Sequence, residues 1–142
     1  RIRQSNHSTY QVEYHLIWCT KYRKKIIKYY VKGELIRSLY KLQKKYPDWY
    51  YIKINTDKDH VHILMEIPPK YSVAEVVQKM KINTAKDLLS RFKFLRKIYE
   101  DGHLWSVGYF VSTVGIDEAM IRKYIEKQGR FDLGQDVTAE FS

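Results

Sequence analysis

The spacing of apolar residues predicts a strand and then a helix in the first third of the chain. Tyr10–Thr20 is rich in aromatic and β-branched residues, which is typical of a long strand. The basic run Lys21–Lys28 follows and is expected to form a loop or an exposed strand end. Four apolar residues at helical spacing then predict a helix that ends before Pro47: Leu35, Leu39, Leu42 and Tyr46.

The middle of the chain predicts a hairpin followed by a capped helix. Trp49–Asn55 and His60–Ile67 have strand composition and are joined by the short polar turn TDKD. Ser72, with Glu75 three residues later, forms a capping box. The helix that it opens is expected to run to about Phe92.

A fourth strand and a last helix complete the prediction. Leu104–Val114 has strand composition, and Asp117 can cap the helix that follows Gly115. The last helix carries Met120, Ile121, Tyr124, Ile125 and Gln128. The order β-α-β-β-α-β predicts the α+β ferredoxin-like split βαβ fold, an antiparallel sheet with two helices on one face. We expect one domain over residues 1–142, with a core at about 10–128 and a C-terminal tail at 129–142.

The composition adds a charge argument to this fold. The chain has 26 Lys and Arg against 16 Asp and Glu, a net charge of +10, and 13 tyrosines. Such a basic domain favours a polyanionic partner, with nucleic acid as the first candidate, although a charged surface without a partner is the alternative. The single cysteine, Cys19, excludes a disulfide framework and a cysteine-rich zinc site, so a cytoplasmic protein is expected. Apolar runs of a few residues are too short to span a bilayer.

Two histidines in the second hairpin strand are candidate metal ligands. Strand side chains alternate, so His60 and His62 lie on one face while Val61, Ile63 and Met65 lie on the other. Both imidazoles then project together from the face opposite the core, as two ligands of one metal would need. On this pattern alone, two half-exposed histidines bonded to water remain an equal alternative.

The last helix offers a nucleophile beside a neutral metal ligand. Tyr124 and Gln128 are four residues apart and lie on one helix face. A phenol with a pKa of about 10 is a weak nucleophile at neutral pH unless a metal or a positive field favours the phenolate. The glutamine oxygen can serve as a third ligand of Mg²⁺ or Mn²⁺. The alternative is that Tyr124 simply packs in an amphipathic helix.

Four motifs follow one another along the chain: VEYHLIWCTKYRKKII, HVH after a short polar turn, HLWSVGYFVSTVG and YIEKQ. Together they resemble the single-tyrosine HUH transposases of the IS200/IS605 family. The resemblance runs from about Tyr10 to Gln128, with the motifs in the expected order. It implies a small homodimeric enzyme that cuts and rejoins single-stranded DNA at the hairpin-bearing ends of an insertion sequence.

The same resemblance implies roles for particular residues. His60, His62 and Gln128 would hold a divalent metal, Mg²⁺ or Mn²⁺, and Tyr124 would become attached to a 5′ phosphate. The family builds each site across the dimer, with the tyrosine helix of one subunit facing the histidine pair of the other. Gly108 and Gly115 are expected to allow such a repositioning here.

Basic and aromatic residues predict where an unpaired strand binds, because such strands are held by positive grooves and stacking rings. The candidates are Tyr22, Arg23, Lys24, Lys25, Tyr51, Lys53, Arg91 and Lys93. A solvated surface is the alternative for each of them.

Other functions remain open on the sequence. A rolling-circle replication initiator or relaxase shares the histidine pair and the tyrosine, but such proteins are usually larger. A non-catalytic RNA-binding module of the same fold would favour stacking aromatics on the central strands, where this chain has histidines. A histidine-triad nucleotide hydrolase is disfavoured because Leu64 stands at the third alternating position.

Overall fold

The computed structural model describes residues 3–5, 8–10, 12–113 and 115–134, and its centre is a four-stranded antiparallel sheet. The strands are β1 (Arg3–Ser5), β2 (Ser8–Tyr10), β3 (Glu13–Cys19), β4 (Tyr50–Thr56), β5 (His60–Glu66) and β6 (Phe110–Ser112). The main sheet has the order β4-β5-β3-β6, and β1 pairs only with β2 in a small separate hairpin. This strand order confirms the predicted α+β ferredoxin-like arrangement.

Helices cover both faces of the main sheet. They are α1 (Tyr29–Lys45), α2 (Val73–Arg91), α3 (Lys93–Ile98) and α4 (Glu118–Asp132). Alternation along β3 sends Leu16 and Trp18 into the main core with α1 and α2, and sends Ile17 and Cys19 to the other face, where they pack against α4. Within the described residues, no helix is both long and apolar enough to cross a membrane.

Both predicted helix caps are confirmed. The Ser72 hydroxyl accepts a hydrogen bond from the Glu75 amide at 3.1 Å, at the start of α2. The Asp117 carboxylate accepts one from the Met120 amide at 2.8 Å, at the start of α4. Each cap satisfies a backbone N–H that has no partner within the helix, which is why these short local signals place the helix starts well.

The first predicted strand is too long. Its paired part begins at Glu13, whereas Tyr10 belongs to β2 and pairs with Arg3, and Gln11 lies outside the described residues. At the other end, Thr20 makes only an isolated bridge to Trp105. The composition is continuous across this boundary, but Tyr10 pairs with β1 whereas Glu13 pairs with Glu66 of β5.

The fourth predicted strand, Leu104–Val114, is also shorter than expected. The strand itself is Phe110–Ser112, opposite residues 15–17 of β3, while Trp105 makes just the isolated bridge to Thr20 and Val114 lies outside the described residues. The Lys81 ammonium group instead donates to the carbonyls of Ser106 and Gly108, at 2.7 and 2.9 Å. Gly108 has a φ of +90°, which breaks the extended backbone and which other residues rarely adopt.

A bulge in β4 corrects one predicted DNA contact. Tyr51 pairs with Met65, but Lys53 pairs with Leu64, so Ile52 is an extra residue in the ladder. Regular alternation would put Tyr51 and Lys53 on one face of the strand, but the bulge places them on opposite faces. Tyr51 is buried and its hydroxyl donates to a main-chain carbonyl of α1, so the prediction that it contacts DNA is wrong for this structure.

Candidate functional site

The two candidate histidines lie where strand alternation predicts. His60 and His62 are half-buried on one face of β5, while Val61, Ile63 and Met65 are buried in the main core. Because the apolar side of β5 is fixed by α1 and α2, both imidazoles must face the opposite side of the sheet. The core therefore sets the orientation of the candidate metal ligands.

Each histidine has a partner that the sequence analysis did not assign. His60 Nδ1 lies 2.9 Å from the Asp59 carboxylate, and His62 Nε2 lies 3.2 Å from Nδ1 of His15. The hydrogen bond to His60 lowers the pKa of Asp59. Burial, followed by the nearby His15, His60 and Lys53, lowers the pKa of His62, which favours the neutral imidazole that binds metals.

A cleft of about 240 Å³ opens beside His60. On one side it is lined by the turn that leads into β5, and on the other by α4. The lining residues are Arg23, Asp57, Asp59, His60, Glu118, Ile121, Arg122 and Ile125. Tyr124 is not among them, although it directly precedes Ile125 in the helix.

The candidate nucleophile points into apolar packing. Tyr124 is 9% exposed and packs with Ile17, Cys19 and Phe110, its ring centroid 5.7 Å from that of Phe110. Among the described residues its hydroxyl has no hydrogen-bond partner. Burial raises the pKa of the phenol, so this position disfavours the phenolate. Tyr124 therefore packs on Ile17 and Cys19, the cross-strand neighbours of His62 and His60, and within the described residues its hydroxyl makes no hydrogen bond to either histidine.

The proposed third ligand is likewise turned elsewhere. Gln128 is buried, and its amide nitrogen donates to the Val107 carbonyl at 2.9 Å and approaches Asp132 Oδ1 at 3.5 Å. Across the described part of the chain, no hydrogen bond joins Gln128 to either histidine. No group of three His, Cys, Asp or Glu side chains there could hold a metal ion. The two imidazoles share one face of β5 while the Gln128 amide is turned to the Val107 carbonyl, so a metal site shared by these three residues stays a prediction.

The C-terminal end of α4 is anchored to the rest of the chain. The Asp132 carboxylate accepts hydrogen bonds from the Tyr22 amide, at 2.9 Å, and from the Ser106 hydroxyl. Gly129 lies against the side chain of Arg23, which a methyl group at that position would overlap. We call Asp132 and its two donors the helix latch. No local pattern marks the latch in the sequence, because its members are distant along the chain.

Most of the predicted DNA contacts are available at the surface. Seven of the eight candidates are exposed: Tyr22, Arg23, Lys24, Lys25, Lys53, Arg91 and Lys93. Arg23 also approaches Asp59 at 3.8 Å, so it connects the basic loop with the rim of the cleft. Lys53 lies with His15 and His62 around a smaller pocket on the same face of the sheet.

Comparison with known proteins gives consistent matches over most of the chain. A family model described as "Transposase IS200 like" matches residues 8–128. The transposase of insertion sequence element IS200 from Salmonella typhimurium is 33% identical over 139 residues, covering 95% of this chain and 89% of that protein. The ISDra2 transposase TnpA of Deinococcus radiodurans is 32% identical over 123 residues, covering 84% of this chain and 85% of its own.

A solved structure agrees with these matches. The crystal structure of a protein assigned as a transposase from Deinococcus radiodurans R1 is similar to this chain with a TM-score of 0.76 at 29% identity. The similarity covers 89% of this chain and 97% of that one. Both the sequence and the arrangement of strands and helices are therefore shared.

Proposed function

Since this chain belongs to the family of IS200-like transposases, we propose that it cuts and rejoins single-stranded DNA at the ends of an insertion sequence. The reaction would proceed through a covalent link between Tyr124 and a 5′ phosphate. The observation that carries this proposal is the placement of His60 and His62 on one face of β5, with His60 lining a cleft whose other wall is α4, the helix of Tyr124.

The proposed chemistry balances without an external energy source. The Tyr124 oxygen forms a bond to phosphorus, the bond from phosphorus to the 3′ oxygen breaks, and the phenolic proton passes to solvent while the departing oxygen takes one up. Because the product is again a phosphate diester, most of the free energy of the original linkage is retained. A 3′ hydroxyl can then attack the phosphotyrosine and rejoin the strand, with release of Tyr124.

The residues that would hold a metal are His60, His62 and Gln128. A bound Mg²⁺ or Mn²⁺ would stabilise the negative charge that develops on the phosphate oxygens. The protein's own contribution is to hold both imidazoles on the same side of the sheet and to favour the neutral form of His62. Asp59 and His15 support this by fixing the ring orientations through their contacts with the two histidines.

The docked position of Tyr124 requires a rearrangement before attack. Successive residues of a helix are about 100° apart around its axis, so the phenol lies within about 100° of Ile125, which lines the cleft. A rotation of α4, or exchange of α4 with the helix of a second subunit, would bring the hydroxyl towards the histidines. We propose the second route, a homodimer whose two sites each combine histidines from one subunit with the tyrosine of the other.

Stoichiometry favours the dimer. Each chain supplies one candidate nucleophile, whereas excision of an element requires two cuts. Two subunits provide two tyrosines, one for each end. Exposed cations around the cleft and in the basic loop would hold the unpaired strand and the hairpin at each end of the element. The net charge of +10 favours such binding of DNA.

The test is the covalent product itself. Wild-type protein with Mn²⁺ or Mg²⁺ and a single-stranded oligonucleotide that carries the element's terminal hairpin is expected to give an SDS-resistant adduct. The attached DNA should be the fragment on the 3′ side of the cut, joined through its 5′ phosphate, and mass spectrometry of the tryptic peptides should place it on Tyr124. Samples with EDTA or with fully duplex DNA are controls that should give no adduct. Cleavage without an adduct, or an adduct on another residue, would refute the proposal.

Weakening the helix latch should speed the reaction. Asp132→Asn removes the charge from the acceptor of two hydrogen bonds, and hydrogen bonds to charged groups contribute about 1.5–3 kcal/mol each. We expect hydrogen exchange in residues 118–132 to rise about tenfold and adduct formation by Tyr124 to become faster. Glu126→Gln, at an exposed position of the same helix that does not line the cleft, is the matched control. Unchanged exchange would show that the latch does not hold α4.

A further inference from the structure

Four aromatic rings meet at the surface, between the start of α1 and the junction of α2 with α3. Tyr30 contacts Tyr29, Phe92 and Phe94, with centroid distances of 5.3, 5.7 and 6.1 Å. Phe92 and Phe94 also contact one another at 6.0 Å. We call these four residues the aromatic patch. The contacts bring together two segments that lie some 60 residues apart in the sequence.

The two tyrosines on the outside of the patch do not belong to the apolar core. Tyr29 is 87% exposed and Tyr30 is 46% exposed, while Phe92 and Phe94 are half-buried beneath them. An aromatic side chain gains favourable free energy when it is buried. Two adjacent tyrosine rings left in water therefore indicate a binding surface rather than a part of the core.

The surroundings of the aromatic patch are strongly positive. Residues 24–32 and 91–98 contribute four Lys or Arg residues each and no Asp or Glu. All eight are exposed: Lys24, Lys25, Lys28, Lys32, Arg91, Lys93, Arg96 and Lys97. The Arg91 guanidinium lies 5.7 Å from the centre of the Phe92 ring, which combines charge and stacking at one point.

This combination favours an unpaired nucleic-acid strand over a protein partner. Exposed rings can stack on bases of any sequence, and the cations around them can neutralise the phosphates between those bases. The two segments carry eight cations and no carboxylate, so a protein bound here would have to be strongly acidic. A DNA duplex offers no unstacked base to the exposed rings of the patch.

We propose that the aromatic patch binds single-stranded DNA, with bases stacked on Tyr29 and Tyr30 and phosphates held by the surrounding lysines. The inference rests on the proposed function, because it assigns a second contact for the same substrate. It adds a base-stacking surface, at the start of α1 and the α2–α3 junction, beside the predicted DNA contacts Arg91 and Lys93. None of the four patch residues lines the cleft, so the patch would hold DNA that flanks the site of cleavage.

The first test measures the stacking contribution. Affinity for a fluorescein-labelled oligothymidylate of about 20 nucleotides is followed by fluorescence anisotropy without metal, so no cleavage occurs. Tyr29→Ala is expected to weaken binding about five- to a hundredfold, the range for loss of one base–aromatic stack. Tyr29→Trp should restore it. Tyr40→Ala, a half-exposed tyrosine further along α1, should bind within about twofold of the wild type.

The second test separates charge from stacking by salt dependence. For single strands, the slope of log K against log salt changes by about 0.7 for each phosphate contact. Lys28→Gln with Lys32→Gln should therefore reduce the slope by about 1.4. Tyr29→Ala should weaken binding at an unchanged slope. Lys44→Gln, exposed near the other end of α1, should alter neither quantity.

The outcomes separate this inference from the proposed function. If Tyr29→Ala binds like the wild type while wild-type protein still forms the Tyr124 adduct, the patch is wrong and the function stands. If the patch variants lose DNA binding but no wild-type adduct forms, the surface stands and the cleavage mechanism fails. If Tyr29→Ala changes only the oligomeric state in sedimentation, the patch is a protein interface and the inference is overturned.

Discussion

Tyr124→Phe is expected to abolish the SDS-resistant adduct between this protein and the cleaved oligonucleotide. Phenylalanine keeps the ring that packs on Ile17 and Phe110 but removes the atom that would bond to phosphorus. Loss of a nucleophile should lower adduct formation by at least about a thousandfold. Denaturing gels with labelled oligonucleotide measure this directly, and anisotropy should show DNA binding within about twofold of the wild type.

The same substitution tests the docked position of the helix. The Tyr124 hydroxyl is buried without a hydrogen-bond partner among the described residues, and such a group costs about 1–3 kcal/mol. Tyr124→Phe should therefore leave the free energy of unfolding unchanged or raise it by about 1 kcal/mol in urea titrations.

Tyr40→Phe, at a half-exposed position, is the matched control and should still form the adduct. Persistence of the adduct in Tyr124→Phe would assign the nucleophile to another residue. A clear loss of stability would mean that the hydroxyl has a partner in solution, and that α4 does not dock as described.

Local signals accounted for the parts of the fold that local physics decides. The caps at Ser72 and Asp117 are satisfied within one helical turn, so the residues that make them are adjacent in the sequence. The alternation in β5 likewise depends only on successive residues, and it placed His60 and His62 on one face correctly.

Strand lengths and registers could not be predicted in this way. The bulge at Ile52 arises from how β4 pairs with β5, and it reverses the face of Tyr51 without any change in composition. The segment before the start of β6 likewise depends on Lys81 of α2, which donates to the carbonyls of Ser106 and Gly108. Both effects are set by residues from other elements.

The candidate site shows the same division. The histidine pair and the spacing of Tyr124 and Gln128 are visible in the sequence, but the contact of His62 with His15 needs the pairing of β5 with β3. The side of α4 that faces the sheet is also a tertiary property. An amphipathic helix pattern identifies Tyr124 as inward-facing, and it does not distinguish apolar packing from a reaction cleft.

A mixing experiment is expected to show whether each active site combines two subunits. His62→Ala removes a proposed metal ligand and should lower metal-dependent cleavage by at least about a thousandfold while the protein stays folded. Tyr124→Phe removes the nucleophile. Each variant alone is then inactive, since every dimer of one kind lacks the same group in both sites.

Co-refolding the two variants in equal amounts should restore activity if the sites are shared. About half of the dimers are then mixed, and each has one site with both the His60–His62 pair and Tyr124, so adduct formation should return to about a quarter of the wild-type level. With tags of different size, the adduct must appear only on the His62→Ala chain, which carries the intact tyrosine. As a control, either single variant is mixed with a chain that carries both substitutions, and this mixture should form no adduct. Failure to recover activity in mixed dimers that sedimentation shows to be present would place His62 and Tyr124 in one chain, so α4 would have to rotate over its own sheet.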